Sequence, residues 1–256
     1  MVEYLKATQD RKRSAATDRF RIRALRRHFA EMEMNALEPQ DIRNYADVRR
    51  KQGVSDTTIN RDLALLSAAI TYANAEWDWR LPNPVRGRKL KEPEGRVRWI
   101  GREEAVRLIA AAEQARRVPF LADFVTLALY TGCRKEELMG LKGERVDLQA
   151  NLLHLGAVHT KTGKRRTVPL CEAARAALLR RLEFRAKTTP DSPWVFARSD
   201  GQRMSDIRDA FAKACRDAGI KDFRIHDLRH TCAAWLVSDG APLAESGTCW
   251  ATARSR

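Results

Sequence analysis

Two prolines placed two residues apart, Pro82 and Pro84, divide this chain into parts that fold by different rules. A proline inside a helix removes a hydrogen bond and clashes with the preceding turn, so Leu81-Pro-Asn-Pro84 cannot continue one. What precedes the break reads as helix. Phe20, Ile22, Leu25 and Phe29 recur at near-helical spacing among arginines. Ile59, Leu63, Leu66, Ile70, Ala73 and Trp77 fall on one face at steps of three and four. Ser55 or Asp56 can cap that second stretch, and Arg61 lies on its polar side. Residues 85–98, VRGRKLKEPEGRVR, are charged and almost free of large apolar groups, which is linker composition. A solvated linker and a strap along a phosphate backbone fit that composition equally.

Beyond the break the pattern mixes periods. Gly101-Arg-Glu-Glu-Ala opens a helix with an acidic first turn, continued by Val106, Leu108, Ile109 and Ala112. Pro119 starts another, Phe120 to Tyr130, so apolar that it must be buried. Thr131-Gly132 ends it, and Lys135 to Leu141 predicts a short helix with Leu138 and Leu141 inward. Strand-like stretches follow. Val146–Leu148 and Leu152–Leu155 flank a Gln-Ala-Asn turn; Val158–Lys161 and Arg165–Val168 flank Thr162-Gly163-Lys164, a short glycine-containing hairpin closed by Pro169. Helices return at Glu172–Lys187, Ser205–Ala218 and Leu228–Val237, with a short strand or turn at Trp194–Phe196. The expected fold is mainly α with a small antiparallel β-sheet. A helical domain spans 1–81, a basic linker 82–98, and an α+β domain 99–244.

The 256 residues carry 48 Lys and Arg against 33 Asp and Glu, a formal charge of +15 spread along the chain. Such a field favours a polyanionic partner, nucleic acid first; a merely solubilising basic surface is the bland alternative. Five cysteines, Cys133, Cys171, Cys215, Cys232 and Cys249, form no CxxC pair. Neither a disulfide framework nor a zinc site is indicated, and reduced thiols in a cytoplasmic protein are expected. No apolar stretch approaches the roughly 18 residues of a membrane helix, and Glu3 and Lys6 give the N-terminus no secretory character.

Three places stand out for chemistry. His226-Asp-Leu-Arg229 sets a histidine and an arginine three apart, on one face of a helical turn, with His230 one position round from Arg229. Arg134, between the buried helix and the short one, is well held, and Glu137 three residues on can pair with a basic side chain. Lys161 sits where a hairpin lets a lysine swing into a groove. Each alone has an ordinary explanation: a surface ion-pair arginine, a satisfied structural histidine, a solvated turn lysine. No GxxxxGKS/T loop exists, which argues against an NTPase, and neither a G-x-S-x-G elbow nor an H-E-x-x-H pair is present. A metal site needs more ligands than can be assembled around His226.

Together, TGCRKEEL at 131–138, HTKTGKRRTVPL at 159–170 and HDLRHTCA at 226–233 resemble the tyrosine recombinase (phage integrase) family. DTTINRDLALLSAAITYA at 56–73, with the PNP break at 82–84, looks like that family's N-terminal DNA-binding domain and linker. The resemblance covers nearly all of residues 1–244, and the ordered trio of motifs is specific although each is weak alone. It implies a helical, SAM-like core-DNA-binding domain followed by an α+β recombinase catalytic domain. It also implies site-specific recombination of double-stranded DNA through a 3′-phosphotyrosyl link, no metal or nucleotide cofactor, and a homo-tetramer on DNA in intact members. Arg134 and Arg229 would grip the non-bridging phosphate oxygens, a task that suits guanidinium forks because they stay charged and bind bidentately. His226 would donate a hydrogen bond or accept a proton, and Lys161 would protonate the leaving 5′-oxygen. Glu137 and His230 would support them, and Arg61, Arg86, Arg88, Lys89, Lys164 and Arg165 would contact DNA.

The family pattern continues past Arg229 with a glycine-histidine or glycine-tryptophan element and then the nucleophilic tyrosine. The tyrosines here are Tyr4, Tyr45, Tyr72 and Tyr130, all before the arginine motif, and Tyr130 lies in an apolar helix that marks it as core. Read in a shifted frame with permissive choices at degenerate bases, the codons from Glu245 onward spell Val-Arg-Asp-Leu-Leu-Gly-His-Ser-Ser-Ile, which holds a Gly-His element. The expectation is a single-base deletion near codon 245 or 246 and an out-of-frame, frayed tail over 245–256. Such a chain descends from a recombinase, grips DNA and does not cut it alone. The alternatives are a non-catalytic remnant that occupies sites or pairs with an intact recombinase, and an unrelated RNA-binding protein.

Overall fold

Among the described residues, which are 1–12, 14–156 and 165–240 of a computed structural model, four helices make the first of two units, Met1–Gly95. They are α1 (Val2–Thr8), α2 (Ala15–Phe29), α3 (Pro39–Lys51) and α4 (Asp56–Glu76). Local chemistry sets their starts. Ser55 Oγ accepts the Thr58 N–H at 3.4 Å to cap α4. Pro39 occupies the first turn of α3, where its missing N–H costs nothing, and the Asp41 carboxylate accepts the Glu38 N–H at 2.9 Å. Ile59, Leu63, Leu66, Ile70 and Ala73 are buried on α4, as their spacing predicts, and the first four form one core with Ile22, Leu25 and Phe29 of α2 and Ile42 and Tyr45 of α3. Phe20 departs from expectation at 69% exposed. Two positions before Ile22 is about 200° round a helix, so Phe20 faces away from the stripe that Ile22 begins.

The stretch 82–98 is not uniformly a tether. Asn60 donates to the Leu90 carbonyl at 3.0 Å and accepts the Leu90 N–H at 2.8 Å; Asn74 does the same for Leu81 at 2.9 Å each way. Asn83 donates to Ser67 Oγ at 3.0 Å, and Leu81, Val85 and Leu90 pack on the first unit's core. Side-chain amides here replace the backbone partners that an irregular segment lacks. The boundary between the units falls inside the stretch, at Gly95–Arg96.

The second unit is built on α6 (Leu121–Thr131), buried on almost every side, with Leu121, Phe124, Val125, Leu127 and Leu129 fully enclosed. Around it pack α5 (Arg102–Glu113), α8 (Glu172–Thr188) and α10 (Ile225–Ser238), with α9 (Arg208–Asp217) against α5. One charge is buried in that helix, and it is paired: Asp123 accepts a hydrogen bond from Arg180 Nε at 2.7 Å and forms an ion pair with Arg181 at 2.7 Å. The short α7 (Lys135–Met139) is followed by strands β1 (Val146–Asp147), β2 (Leu152–Leu155) and β3 (Arg166–Pro169). They form an antiparallel sheet in the order β1-β2-β3, with Leu153 opposite Val168 and Leu155 opposite Arg166. The mainly helical fold with a small antiparallel sheet is therefore as the sequence predicts. The expected hairpin tip at 162–164 and the tail over 245–256 lie outside the described residues. Val106, which continues α5 as predicted, is 67% exposed, because it too lies two positions before the buried Leu108. Helix α9 starts at Arg208 instead of Ser205, where Asp206 accepts the Arg208 N–H at 2.9 Å.

Candidate functional site

The buried helix α6 ends on Gly132, whose φ of 58° is left-handed and open to glycine at little cost. That turn delivers Arg134 to the N-cap of α7. Glu137, on the first turn of α7 and 1% exposed, accepts the Arg134 backbone N–H at 2.7 Å and Arg134 Nη1 at 2.9 Å. A second guanidinium reaches the same carboxylate: Arg166 donates from Nη1 at 3.0 Å and from Nη2 at 2.6 Å. Burial pushes the Glu137 carboxyl upward, but the bonds from Arg166 and Arg134 and the Arg166 charge outweigh it and hold the group below its ordinary value.

Helix α10 supplies the opposite wall. It begins at Ile225, earlier than the expected Leu228, because Asp227 accepts the Arg224 N–H at 2.8 Å and closes the first turn. Asp227 does face away from Arg229, as its spacing requires. It is 4% exposed and pairs with Arg96 at 2.9 Å, while Arg96 also binds Asp222. With that turn fixed, Arg229 donates from Nη1 to the Gly132 carbonyl, two residues before Arg134. Burial, then the neighbouring charges of Arg134 and Arg166, lower the Arg229 guanidinium from its usual value, yet an arginine so placed stays cationic. His226 is exposed at the helix start, its ring 4.9 Å from His230 and perpendicular to it. Burial, then His230 and Arg229, lower the His226 imidazole, with Arg134 adding to the effect, so it is neutral at pH 7.

Arg134, Glu137, His226, Arg229 and His230 thus lie in one neighbourhood. Lys161 and Lys164 fall outside the described residues. Arg61 and Arg86 are exposed on the first unit, Arg88 donates to the Pro84 and Arg86 carbonyls at 3.0 Å, and Lys89 pairs with Glu92 at 3.2 Å. Arg165 is exposed beside β3. Arg166, not Arg165, is the site's third guanidinium. Alternation along the strand carries that signal, since Arg166 shares a face with the buried Val168 and Arg165 does not. Tyr130, expected in the core, is 37% exposed, its ring 5.7 Å from Trp235 at the last turn of α6. Among the described residues no cluster of His, Cys, Asp or Glu has a metal-binding arrangement, and no helix is long and apolar enough to cross a membrane. Three guanidinium groups around one carboxylate leave an excess of fixed positive charge with several N–H donors. Such an arrangement suits an oxyanion with two or more acceptor oxygens.

Comparison with known proteins bears on the same stretch. Residues 98–245 match the phage integrase family. The integrase of Salmonella phage P22 is 30% identical over 71% of this chain, which spans only about half (47%) of that protein. Tyrosine recombinase XerC of Thermodesulfovibrio yellowstonii is 30% identical over 84% of this chain and 74% of its own length. In fold, the integrase of the Tn1549 transposon, solved in complex with circular intermediate DNA, superposes with a TM-score of 0.78 over 98% of this chain and 91% of that one, at 20% identity. A lambda integrase dimer bound to a COC' core site gives 0.76 over 98% and 93%, at 17% identity.

Proposed function

The chain belongs to the phage integrase family, and from that premise we propose that it binds double-stranded DNA and closes Arg134 and Arg229 on one backbone phosphate. The observation that carries this reading is the Arg229 contact with the Gly132 carbonyl, which sets two guanidinium groups from distant parts of the sequence beside one turn. Their charge and fork geometry match the non-bridging oxygens of a phosphodiester, and they would stabilise the charge that builds up as it is attacked. His226, neutral at pH 7, is suited to donate a hydrogen bond to that phosphate or to take a proton. Where a tyrosine is supplied, its oxygen bonds to phosphorus, the bond to the 5′-oxygen breaks, and Lys161 gives that oxygen a proton. Arg61, Arg86, Arg88, Lys89, Lys164 and Arg165 are read as backbone contacts. A duplex-DNA partner is also in keeping with a cytoplasmic location.

The last tyrosine of the 256 residues is Tyr130. We therefore read a polypeptide of this sequence as binding DNA without forming the phosphotyrosyl link by itself. A nicked suicide duplex tests this. No covalent protein–DNA product is expected from the chain alone, whereas a tyrosine-bearing relative mixed with it on DNA should become trapped. Covalent trapping of this chain alone would refute the reading, as would a preference for RNA over duplex DNA in competition.

A further inference from the structure

Arg166 opens β3 and fills acceptor sites that Arg134 would otherwise take. A carboxylate offers about four lone-pair sites. Two of those on Glu137 are taken by Arg166, in a fork of 3.0 and 2.6 Å, with the Arg166 side chain 14% exposed. The other two hold Arg134, one through its backbone N–H at 2.7 Å and one through Nη1 at 2.9 Å. Glu137 therefore binds the Arg134 guanidinium by a single bond and has no acceptor site left to draw in a second. Arg166 also stands opposite Leu155 in the sheet register.

We infer that Arg166 is a positioning residue for the phosphate site: by saturating Glu137, it keeps the outer edge of Arg134 open. The inference rests on the reading of Arg134 and Arg229 as the phosphate-gripping pair. Without Arg166, the two oxygens of Glu137 are released to fork Arg134 itself. That turns its donors inward and neutralises its charge. A lysine at this position restores charge but not the planar fork, so it leaves one Glu137 oxygen unsaturated.

The test uses the 256-residue chain with nitrogen-15-labelled arginine, titrated with inorganic phosphate while the guanidinium resonances of Arg134 and Arg229 are followed. In the unsubstituted chain both are expected to shift with one shared dissociation constant. Arg166→Gln should weaken phosphate binding about tenfold, the loss of roughly one charge-assisted hydrogen bond. It should also slow rotation of the Arg134 guanidinium as Glu137 closes on it. Arg166→Lys should recover less than half of that loss on a logarithmic scale, and it carries the test should Arg166→Gln not fold. Unchanged affinity in both variants, or full recovery with lysine, overturns the positioning role and leaves the phosphate site standing. No phosphate response at Arg134 or Arg229 in the unsubstituted chain overturns the site itself.

Discussion

Removing the Glu137 carboxylate should destabilise the second unit by about 3 kcal/mol at pH 7, toward the low end of what breaking a buried ion pair costs. The side chain is 1% exposed and accepts four hydrogen bonds, two from Arg134 and two from Arg166. A bond to a charged group contributes about 1.5–3 kcal/mol, but the four are not additive. The Arg134 side chain is 29% exposed, so water replaces part of what it loses, whereas Arg166, at 14%, is left stranded. Glu137→Ala should therefore show its cost mainly through Arg166. The double variant Glu137→Ala with Arg166→Ala removes the stranded cation and should be less damaging than the sum of the singles by about 1 kcal/mol or more. The effect also depends on pH. The folded carboxyl lies below its unfolded value, so its stabilisation is complete above the unfolded value of about 4.3 and is lost as pH falls through the folded one. The gap between the unsubstituted chain and Glu137→Ala should narrow below about pH 4. Urea-dependent hydrogen exchange of the α6 amides reads the stability of this unit directly. A cost below about 1 kcal/mol, or strict additivity in the double variant, would refute the reasoning.

Three further outcomes follow from the same geometry. Asp227→Asn keeps an acceptor for the Arg224 N–H but removes the charge facing Arg96, and should cost about 1–2 kcal/mol with faster exchange in the first turn of α10; unaltered protection there would contradict the assignment of Asp227 as the brace of that turn. Burial pushes the Cys215 thiol up to about 11 and the Cys232 thiol up to about 12, and it also raises Cys133. Cys171 is exposed. Iodoacetamide at pH 8 should therefore modify Cys171 before Cys133, Cys215 and Cys232, and mass spectrometry showing Cys232 labelled at the same rate as Cys171 without denaturant would contradict the packing around it. DNA affinity should fall steeply with salt, and Arg229→Ala should lower the log–log slope by about 1, the signature of one lost phosphate contact; an unchanged slope would remove Arg229 from the interface.

The elements that sequence periodicity made legible were those with one clear apolar stripe. Ile59 to Ala73 on α4 and the apolar run of α6 needed only helical spacing to be placed, because burial on one face or on every face fixes the pattern. Phe20 departed from the stripe, and Val106 is exposed within its helix, because a large apolar side chain two steps from a stripe faces solvent however hydrophobic it is. The hold of Leu81 and Leu90 on α4 was not legible because it comes from Asn74 and Asn60, whose side-chain amides leave no periodic trace. At the site, the motifs drew attention to Arg134, His226 and Arg229. Arg166 stayed hidden because its task is defined by a carboxylate from another element, and only strand alternation hinted at its side.

A structure of the 256-residue chain bound to duplex DNA would test the central claim most directly. The account predicts a single phosphate whose non-bridging oxygens lie within hydrogen-bond distance of both Arg134 and Arg229, with His226 beside it. Two arginines on different phosphates, or both turned away from the backbone, would contradict it.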